Sequence, residues 1–339
     1  IDAGVDAVVK VEIPESWKTA EDACKLEDST AGNAKLGKMV AEIMEPVNLN
    51  DGDSLPVSAF VNHVDGTFEQ GASAFEKRGV AVDVPEWQPD KCIQCNQCSY
   101  VCPHATIRPF ALDEADMAKA PKNIRTAQMK GKGVEAFQFV QAVSPLDCMG
   151  CGVCAQVCPA PGKALVMKGQ ETQLAEQDVF DYCVENVTKK DGMMPETSVK
   201  GSQFNKPLLE FSGSCAGCAE TAYARLVTQL CGDRMYISNA TGCSSIWGGP
   251  AATSPYTKNQ KGQGPAWANS LFEDNAENGY GMYLGQKAIR ARLKRLTEKL
   301  VAHEWVDADL KEAGQKWLDT FEDGKANSEA TDAYLAALE

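Results

Sequence analysis

The 339-residue chain is expected to be multidomain and α/β, and three observations lead there. It is longer than one hydrophobic core usually serves, with 44% apolar and 24% charged residues. One cysteine-rich pattern occurs twice, at residues 92–103 and 148–159, which marks an internal repeat. From Pro207 onward, short apolar runs alternate with glycine-rich turns and a helical stretch, the order of an α/β sheet whose strand ends carry a site.

Composition removes whole classes of function. No stretch approaches the roughly 20 consecutive apolar residues of a membrane-crossing helix. The chain carries 33 basic against 47 acidic side chains, a net charge of -14, with no Lys/Arg block to follow a phosphate backbone, so neither membrane nor nucleic acid is an expected partner. Of 14 cysteines only Cys24, Cys183 and Cys231 stand apart from tight clusters. Such clustering suits metal rather than disulfides and implies reduced thiols in a cytoplasmic compartment. No secretory leader is read at Ile1-Asp2-Ala3, and a chain that starts there and ends in the helical run Ala333 to Glu339 reads as a piece of a longer polypeptide.

Along the chain, an apolar run Val5 to Val11 is stopped by Pro14. Leu36, Met39, Val40, Ile43 and Met44 share a helical face. Residues 57–61 suggest a strand, and Trp87, bracketed by Pro85 and Pro89, suggests a linker. The repeat unit runs from Lys91 to about 170, and residues 171–199, polar and turning at 189–192, read as a second linker. The third unit offers a strand at 208–211, a turn at 213–217, a helix from Ala219 to Leu230, a strand from Met235 to Ser238 and a turn from Asn239 to Gly249. Beyond Gly279 the chain turns helical, with Ile289, Leu293, Leu296 and Leu300 on one face and a solvated basic face around them. The acid-rich residues 303–339 read as exposed helix.

The repeats carry the chemistry. Cys92-Ile-Gln-Cys95-Asn-Gln-Cys98-Ser-Tyr-Val-Cys102-Pro103 and Cys148-Met-Gly-Cys151-Gly-Val-Cys154-Ala-Gln-Val-Cys158-Pro159 are both C-x2-C-x2-C-x3-C-P. Three cysteines at steps of three wrap a cubane iron-sulfur cluster, while the fourth, before proline, ligates the other cluster. The expected sets are Cys92, Cys95, Cys98 and Cys158 for one 4Fe-4S cluster, and Cys102, Cys148, Cys151 and Cys154 for the second. Zinc ribbons also use C-x2-C pairs, but tetrahedral zinc gives no reason for the third step or for the trailing C-P. Amides of Gly150, Gly152 and Ala155 are candidates for hydrogen bonds to sulfur. A third group, Cys215, Cys218 and Cys243, lies at the ends of two expected strands and would hold a further cubane if a fourth ligand joined it; a redox-active or merely buried pair is the competing reading. Cys183 and Cys231 read as buried thiols ahead of a fourth ligand for the third group, His104 as a packed or exposed loop residue ahead of one that tunes a cluster by hydrogen bonding, and His63 and His303 as residues without a partner in the sequence.

The order of motifs adds a resemblance. Phe75-Glu76-Lys77-Arg78-Gly79, the two ferredoxin motifs, Gly213-Ser-Cys-Ala-Gly-Cys-Ala-Glu220, Asn239-Ala-Thr-Gly-Cys-Ser-Ser-Ile-Trp-Gly-Gly249 and Leu271-Phe-Glu-Asp-Asn-Ala-Glu-Asn-Gly-Tyr-Gly281 together resemble the single-chain, thiamine diphosphate-dependent pyruvate:ferredoxin (flavodoxin) oxidoreductases over nearly the whole chain. The resemblance implies oxidative decarboxylation of pyruvate with coenzyme A to acetyl-CoA and carbon dioxide, with electrons passing through three 4Fe-4S clusters to ferredoxin or flavodoxin in a homodimer. It implies that Cys215, Cys218 and Cys243 ligate the thiamine-proximal cluster and that Glu220 and Cys243 lie against thiamine diphosphate.

It also divides the chain: 1–20 as the end of a gamma-type domain, 21–90 as an EKR-type segment and linker, 91–170 as the ferredoxin-like two-cluster domain, 171–199 as linker, and 200–339 as the first part of a thiamine diphosphate-binding α/β domain. In that family the fourth ligand of the proximal cluster, the Mg2+ site and the main catalytic acid lie outside the stretch matched here, so the 339 residues alone are expected not to turn over pyruvate. The rival readings are a related 2-oxoacid oxidoreductase, a fusion handing electrons to a flavin-NADP module, and a free-standing two-cluster electron carrier.

Overall fold

The computed structural model describes residues 7–19, 34–190, 192–250 and 253–339. Cys24, the head of the Val5 to Val11 run and the centre of the 189–192 turn lie outside the described residues.

Each cysteine repeat is preceded and followed by a strand, and the strands pair crosswise. β1 (Asp83–Trp87), ahead of the first repeat, is antiparallel to β5 (Leu165–Gly169), which follows the second. β4 (Gln138–Val143), ahead of the second repeat, is antiparallel to β2 (Ile107–Leu112), which follows the first, and the short β3 (Ala127–Gln128) adds to its other edge. In register, Trp87 faces Leu165 and Ile107 faces Val143. Trp87 then meets Phe139 of β4 edge-on, with ring centroids 5.8 Å apart, so one core serves both ribbons. The linker expected around Trp87 is thus a strand of the ferredoxin-like unit. Pro85, a linker signal in the sequence, is tolerated in the strand because a two-stranded ribbon leaves one edge free of ladder bonds.

Residues 171–199, expected as a linker, contain a buried helix. Glu176–Asn186 is a helix whose Val179, Phe180 and Cys183 are buried against Leu112, Val140 and Ala142. Three apolar positions on one stripe were hidden by acidic neighbours at 176, 178 and 181. In the EKR segment, Ala34–Met39 runs into a π-helical stretch, Val40–Met44, and then Glu45–Asn48; Met39, Val40, Ile43 and Met44 bury together with Ala72, as the periodicity implied. The π stretch precedes Pro46, which has no N–H to return to the ladder. Residues 57–61 form part of a 3-10 helix, Val57–His63, and no strand: Val57 and Val61 face solvent, so no buried face rewards the extended form.

The third unit contains one parallel pair, β6 (Tyr236–Ala240) beside β7 (Ala266–Ser270), flanked by the helices Ala219–Cys231 and Asn275–Val301. The turn expected at 239–249 closes into the helix Cys243–Gly248. Ala308–Asp319 then packs on the long helix, and Gly324–Leu338 packs on Ala308–Asp319, with Trp317 against Tyr334. Its basic face is exposed, as expected, with Arg290 and Lys294 lying over the Phe321 ring at 4.3 and 5.2 Å. No described helix is long and apolar enough to cross a membrane.

Residues 208–211 hold only an isolated bridge, Leu209 to Tyr256, because Phe211 turns to φ 51° and ends the extension. The segment is nevertheless central. The Glu210 carboxylate pairs with Arg108 of β2, both nearly inaccessible, while the Glu210 carbonyl accepts from Ser73 Oγ at 2.9 Å and its N–H donates to Pro255. Arg108 is held between the Phe180 and Phe211 rings at 5.2 and 5.1 Å. Burial opposes ionisation of Glu210 most strongly, but the charge and hydrogen bond of Arg108, joined by the charges of Lys206 and Lys77, together hold the carboxyl below the ordinary range. Removing one partner leaves a buried charge alone. Glu210→Met is therefore expected to cost about 3–5 kcal/mol in denaturant unfolding, and Arg108→Met/Glu210→Met together far less. A single variant that unfolds like the parent chain would contradict this account.

Candidate metal centres

Crossed strand pairing dictates where the cysteines meet. Cys158 lies just before β5, which is paired to β1, and β1 leads into the first cysteine loop; Cys102 stands in the same relation to the second loop through β2 and β4. The fourth cysteine of each repeat is thereby delivered to the other loop. One small cavity is lined by Cys92, Cys95, Cys98 and Cys158, and a second by Cys102, Cys148, Cys151 and Cys154. These are the two quartets expected from spacing. Among the described residues no group of three or more His, Cys, Asp or Glu is close enough to hold a single metal ion, and the thiols stand around the cavity walls.

The loops bend alike in both copies. Gln94 and Asn96 have φ of 59° and 60°, and their counterparts Gly150 and Gly152 have 68° and 70°. This left-handed backbone turns amides inward: Gln94 N–H lies 3.3 Å from Cys92 Sγ, Gly150 N–H 3.4 Å from Cys148 Sγ, and Ala164 N–H 3.4 Å from Cys158 Sγ. In the first copy non-glycine residues hold the strained conformation through their side chains. Gln94 Nε2 donates to the Gln128 carbonyl at 2.8 Å, and Asn96 Nδ2 to that of Lys200 at 2.9 Å. In the second copy glycine has no such tether.

Electrostatics agrees with the grouping. Burial pushes the Cys98 thiol well up, and the nearby Cys92, Cys95 and Cys158 push it further. Burial raises Cys148 to about 12, with Cys102 and Cys151 adding to it. Cys154 is also raised by burial and responds both to its own quartet and to Cys98, which places the two cavities side by side. Thiols this dry ionise only when a cation replaces their protons.

The third cysteine group is built differently. Cys215 and Cys218 share one turn, closed by Cys218 N–H to the Cys215 carbonyl at 3.0 Å, and Cys218 caps the helix Ala219–Cys231. Cys243 is the first residue of the helix Cys243–Gly248, and Trp247 of that helix donates from Nε1 to Glu220 Oε2 at 3.3 Å. Cys215 and Cys243 are exposed and Cys218 half-buried. Burial opposes ionisation of Cys218, yet hydrogen bonds from the Thr221 amide and hydroxyl and the Glu220 amide hold its thiol below the ordinary range.

Cys183 is a buried thiol raised to about 12 by burial, whereas Cys231, expected to be buried, is half-exposed at its helix end. His63 stacks on Phe68 and His303 meets Trp305 edge-on, partners that sequence did not indicate.

Two further buried groups stand against the cysteine loops, of which the sequence singled out only His104. His104, buried beside the second cavity, has its ring nitrogens 3.2 Å from the Ser212 and Cys215 carbonyls, and burial lowers its pKa although the two carbonyls favour the protonated ring. Arg225, buried and lowered to about 10 by burial, donates from the Ala219–Cys231 helix to the Tyr100 carbonyl at 2.5 Å, fastening it to the first cysteine repeat. No spacing rule announces a side chain whose target is a distant backbone carbonyl.

The two loop glycines give a direct test. A Cβ at Gly150 would stand 3.1 Å from the Asp83 carbonyl oxygen and 3.2 Å from Ala81 Cβ, whereas nothing lies within 4 Å of one at Gly152. Gly150→Ala is expected to lose iron from the second quartet. Gly152→Ala, strained by about 1–2 kcal/mol, retains it. Iron and sulfide per chain, with thermal melting alongside, distinguish the two variants, and equal iron in both would refute the role given to Gly150.

Comparison with known proteins follows the same lines. Residues 91–161 match a 4Fe-4S dicluster domain family and residues 26–81 match EKR, a domain of unknown function. A pyruvate-flavodoxin oxidoreductase of Enterobacter agglomerans is 49% identical over 97% of this chain and 28% of its own length. A pyruvate:ferredoxin oxidoreductase of Moorella thermoacetica is 47% identical over 100% and 28%. A pyruvate dehydrogenase [NADP(+)] of Cryptosporidium parvum is 49% identical over 77% and 13%. The chain thus spans little more than a quarter of the oxidoreductases it matches. Along almost all of its length it is homologous to one segment of the pyruvate-flavodoxin and pyruvate:ferredoxin oxidoreductases.

Proposed function

We propose that the chain is the electron-carrying segment of a pyruvate:ferredoxin/flavodoxin oxidoreductase. The observation that supports this best is the pair of adjacent cavities, each walled by one cysteine quartet, with the Cys215–Cys218 turn packed against the second. In this reading Cys92, Cys95, Cys98 and Cys158 hold one cubane and Cys102, Cys148, Cys151 and Cys154 the other. Cys215, Cys218 and Cys243 contribute to a third beside thiamine diphosphate, with Glu220 and Cys243 against that cofactor and its Mg2+ held elsewhere in the longer enzyme.

When bound, the clusters supply low-potential, one-electron carriers. The chain's own residues keep the cavities dry, aim amides at sulfur and hold three cysteine groups in sequence. The oxidised substrate is pyruvate with coenzyme A, the acceptor is ferredoxin or flavodoxin, and the working enzyme is a cytoplasmic homodimer. The Cryptosporidium relative, by its name, favours a second reading in which a fused NADP module takes the electrons.

Anaerobically purified chain is expected to hold about eight irons with matching labile sulfide, four for each complete quartet. About twelve would mean that the third group is completed within the 339 residues. Stoichiometric zinc without sulfide would remove the proposal. The same preparation, given pyruvate, coenzyme A and thiamine diphosphate, is expected to form no acetyl-CoA; product above a blank would show that the catalytic machinery is not confined to the rest of the enzyme.

A further inference from the structure

Three consecutive residues of the EKR segment reach to both sides of a single gap. Lys77 Nζ donates to Asp147 Oδ2 at 2.7 Å, and Asp147 immediately precedes Cys148. Gly79 N–H donates to the Leu146 carbonyl at 2.8 Å, gripping the same strand exit. Between them Arg78 points the other way, its Nη1 lying 3.3 Å from the Phe211 carbonyl and 3.2 Å from that of Ser212, just ahead of Cys215. Lys77 has φ 40° and Gly79 φ 61°, a strained backbone that throws neighbouring groups apart. Glu76 pairs with Arg78 and fixes its fork.

From the ferredoxin-like side, His104 completes the grip. Its carbonyl accepts from Phe211 N–H at 2.9 Å and its ring reaches the Ser212 and Cys215 carbonyls. The two cysteine loops so gripped are in contact: a Cβ at Gly217 would lie 3.6 Å from Cys151 Cβ.

We propose that Lys77, Arg78 and Gly79 are positioning residues that fix the Cys215–Cys218 turn against the second cysteine quartet and so set the electron-transfer gap between them. General adhesion between units would need only contact somewhere along the interface. Here the bonds fall on the residues leading directly into Cys148 and into Cys215, the two points whose separation governs transfer. The inference rests on the proposed clusters and assigns to the EKR residues a role in spacing them.

The test uses the full 339-residue chain, loaded anaerobically with iron and sulfide, with a nitroxide carried on a non-cysteine side chain introduced at Ala216. The reduced second cubane relaxes the label in a distance-dependent way. Arg78→Met is expected to keep the parent's iron content and cubane spectrum while losing the relaxation enhancement, and Arg78→Lys, which still donates to a carbonyl, to recover part of it. Lys77→Met should act in the same direction from the other side. An Arg78→Met chain with unchanged relaxation would overturn the proposal, as would one that loses iron together with fold, since the residue would then be a staple of stability. A parent chain that holds no iron sulfide fails the proposed function itself, an outcome separable from unchanged relaxation in an iron-loaded chain.

Discussion

Four thiolates cannot share a dry cavity unless positive charge stands between them, and much of this chain is arranged around that constraint. Burial and mutual repulsion push Cys98, Cys148 and Cys154 toward the neutral thiol. Metal-free, the quartets would be protonated, poorly filled cavities; metal-loaded, they become the centre of the unit. Crossed pairing of β1 with β5 and of β2 with β4 meets the constraint by topology, because it makes each cavity depend on both repeats. Neither quartet can close until the whole unit has folded, so cluster binding and folding stabilise one another.

The junction with the third unit sets a buried ion pair beside an apolar contact, Phe211 against Phe180 and its cluster. Arg108 and Glu210 are desolvated at considerable cost, which their attraction, the Ala105 carbonyl at 2.6 Å from Arg108 Nε and two aromatic faces offset only in one geometry. An apolar pair would tolerate sliding. The ion pair, with Ser73 and Pro255 binding the Glu210 main chain, admits a single register for residues 208–212, and that register carries the Cys215–Cys218 turn to its place.

Legibility in the sequence followed the directness of the chemistry. Spacing of the eight repeat cysteines was enough to write down two quartets, and the structure brings each around a cavity. Helices 34–48 and 219–231 were legible because their buried faces keep helical periodicity. Pro85 in β1 and the acidic coat of 176–186 hid buried elements behind local signals that tertiary contacts overrode. The extended look of 208–211 was half right: the residues are buried, but Phe211 turns left-handed and leaves a bridge without a ladder. Lys77, Arg78, His104 and Arg225 act on partners far along the chain, most of them backbone carbonyls, and a backbone carbonyl has no letter in a sequence.

The three cysteine groups illustrate two ways of holding a thiolate, and the difference bears on what each site does. In the repeats, sulfur is enclosed and the chain itself excludes water. In the third group, Cys218 caps the helix Ala219–Cys231, where hydrogen bonds from the Thr221 amide and hydroxyl and the Glu220 amide draw it below the ordinary thiol range despite its partial desolvation, and Cys243 opens the helix Cys243–Gly248 exposed to solvent. A closed site suits a carrier that exchanges only electrons. Under the proposed function the open site is the one that would also touch a cofactor, and Glu220, two residues beyond Cys218 and accepting from Trp247 Nε1, would be the carboxylate held beside that sulfur.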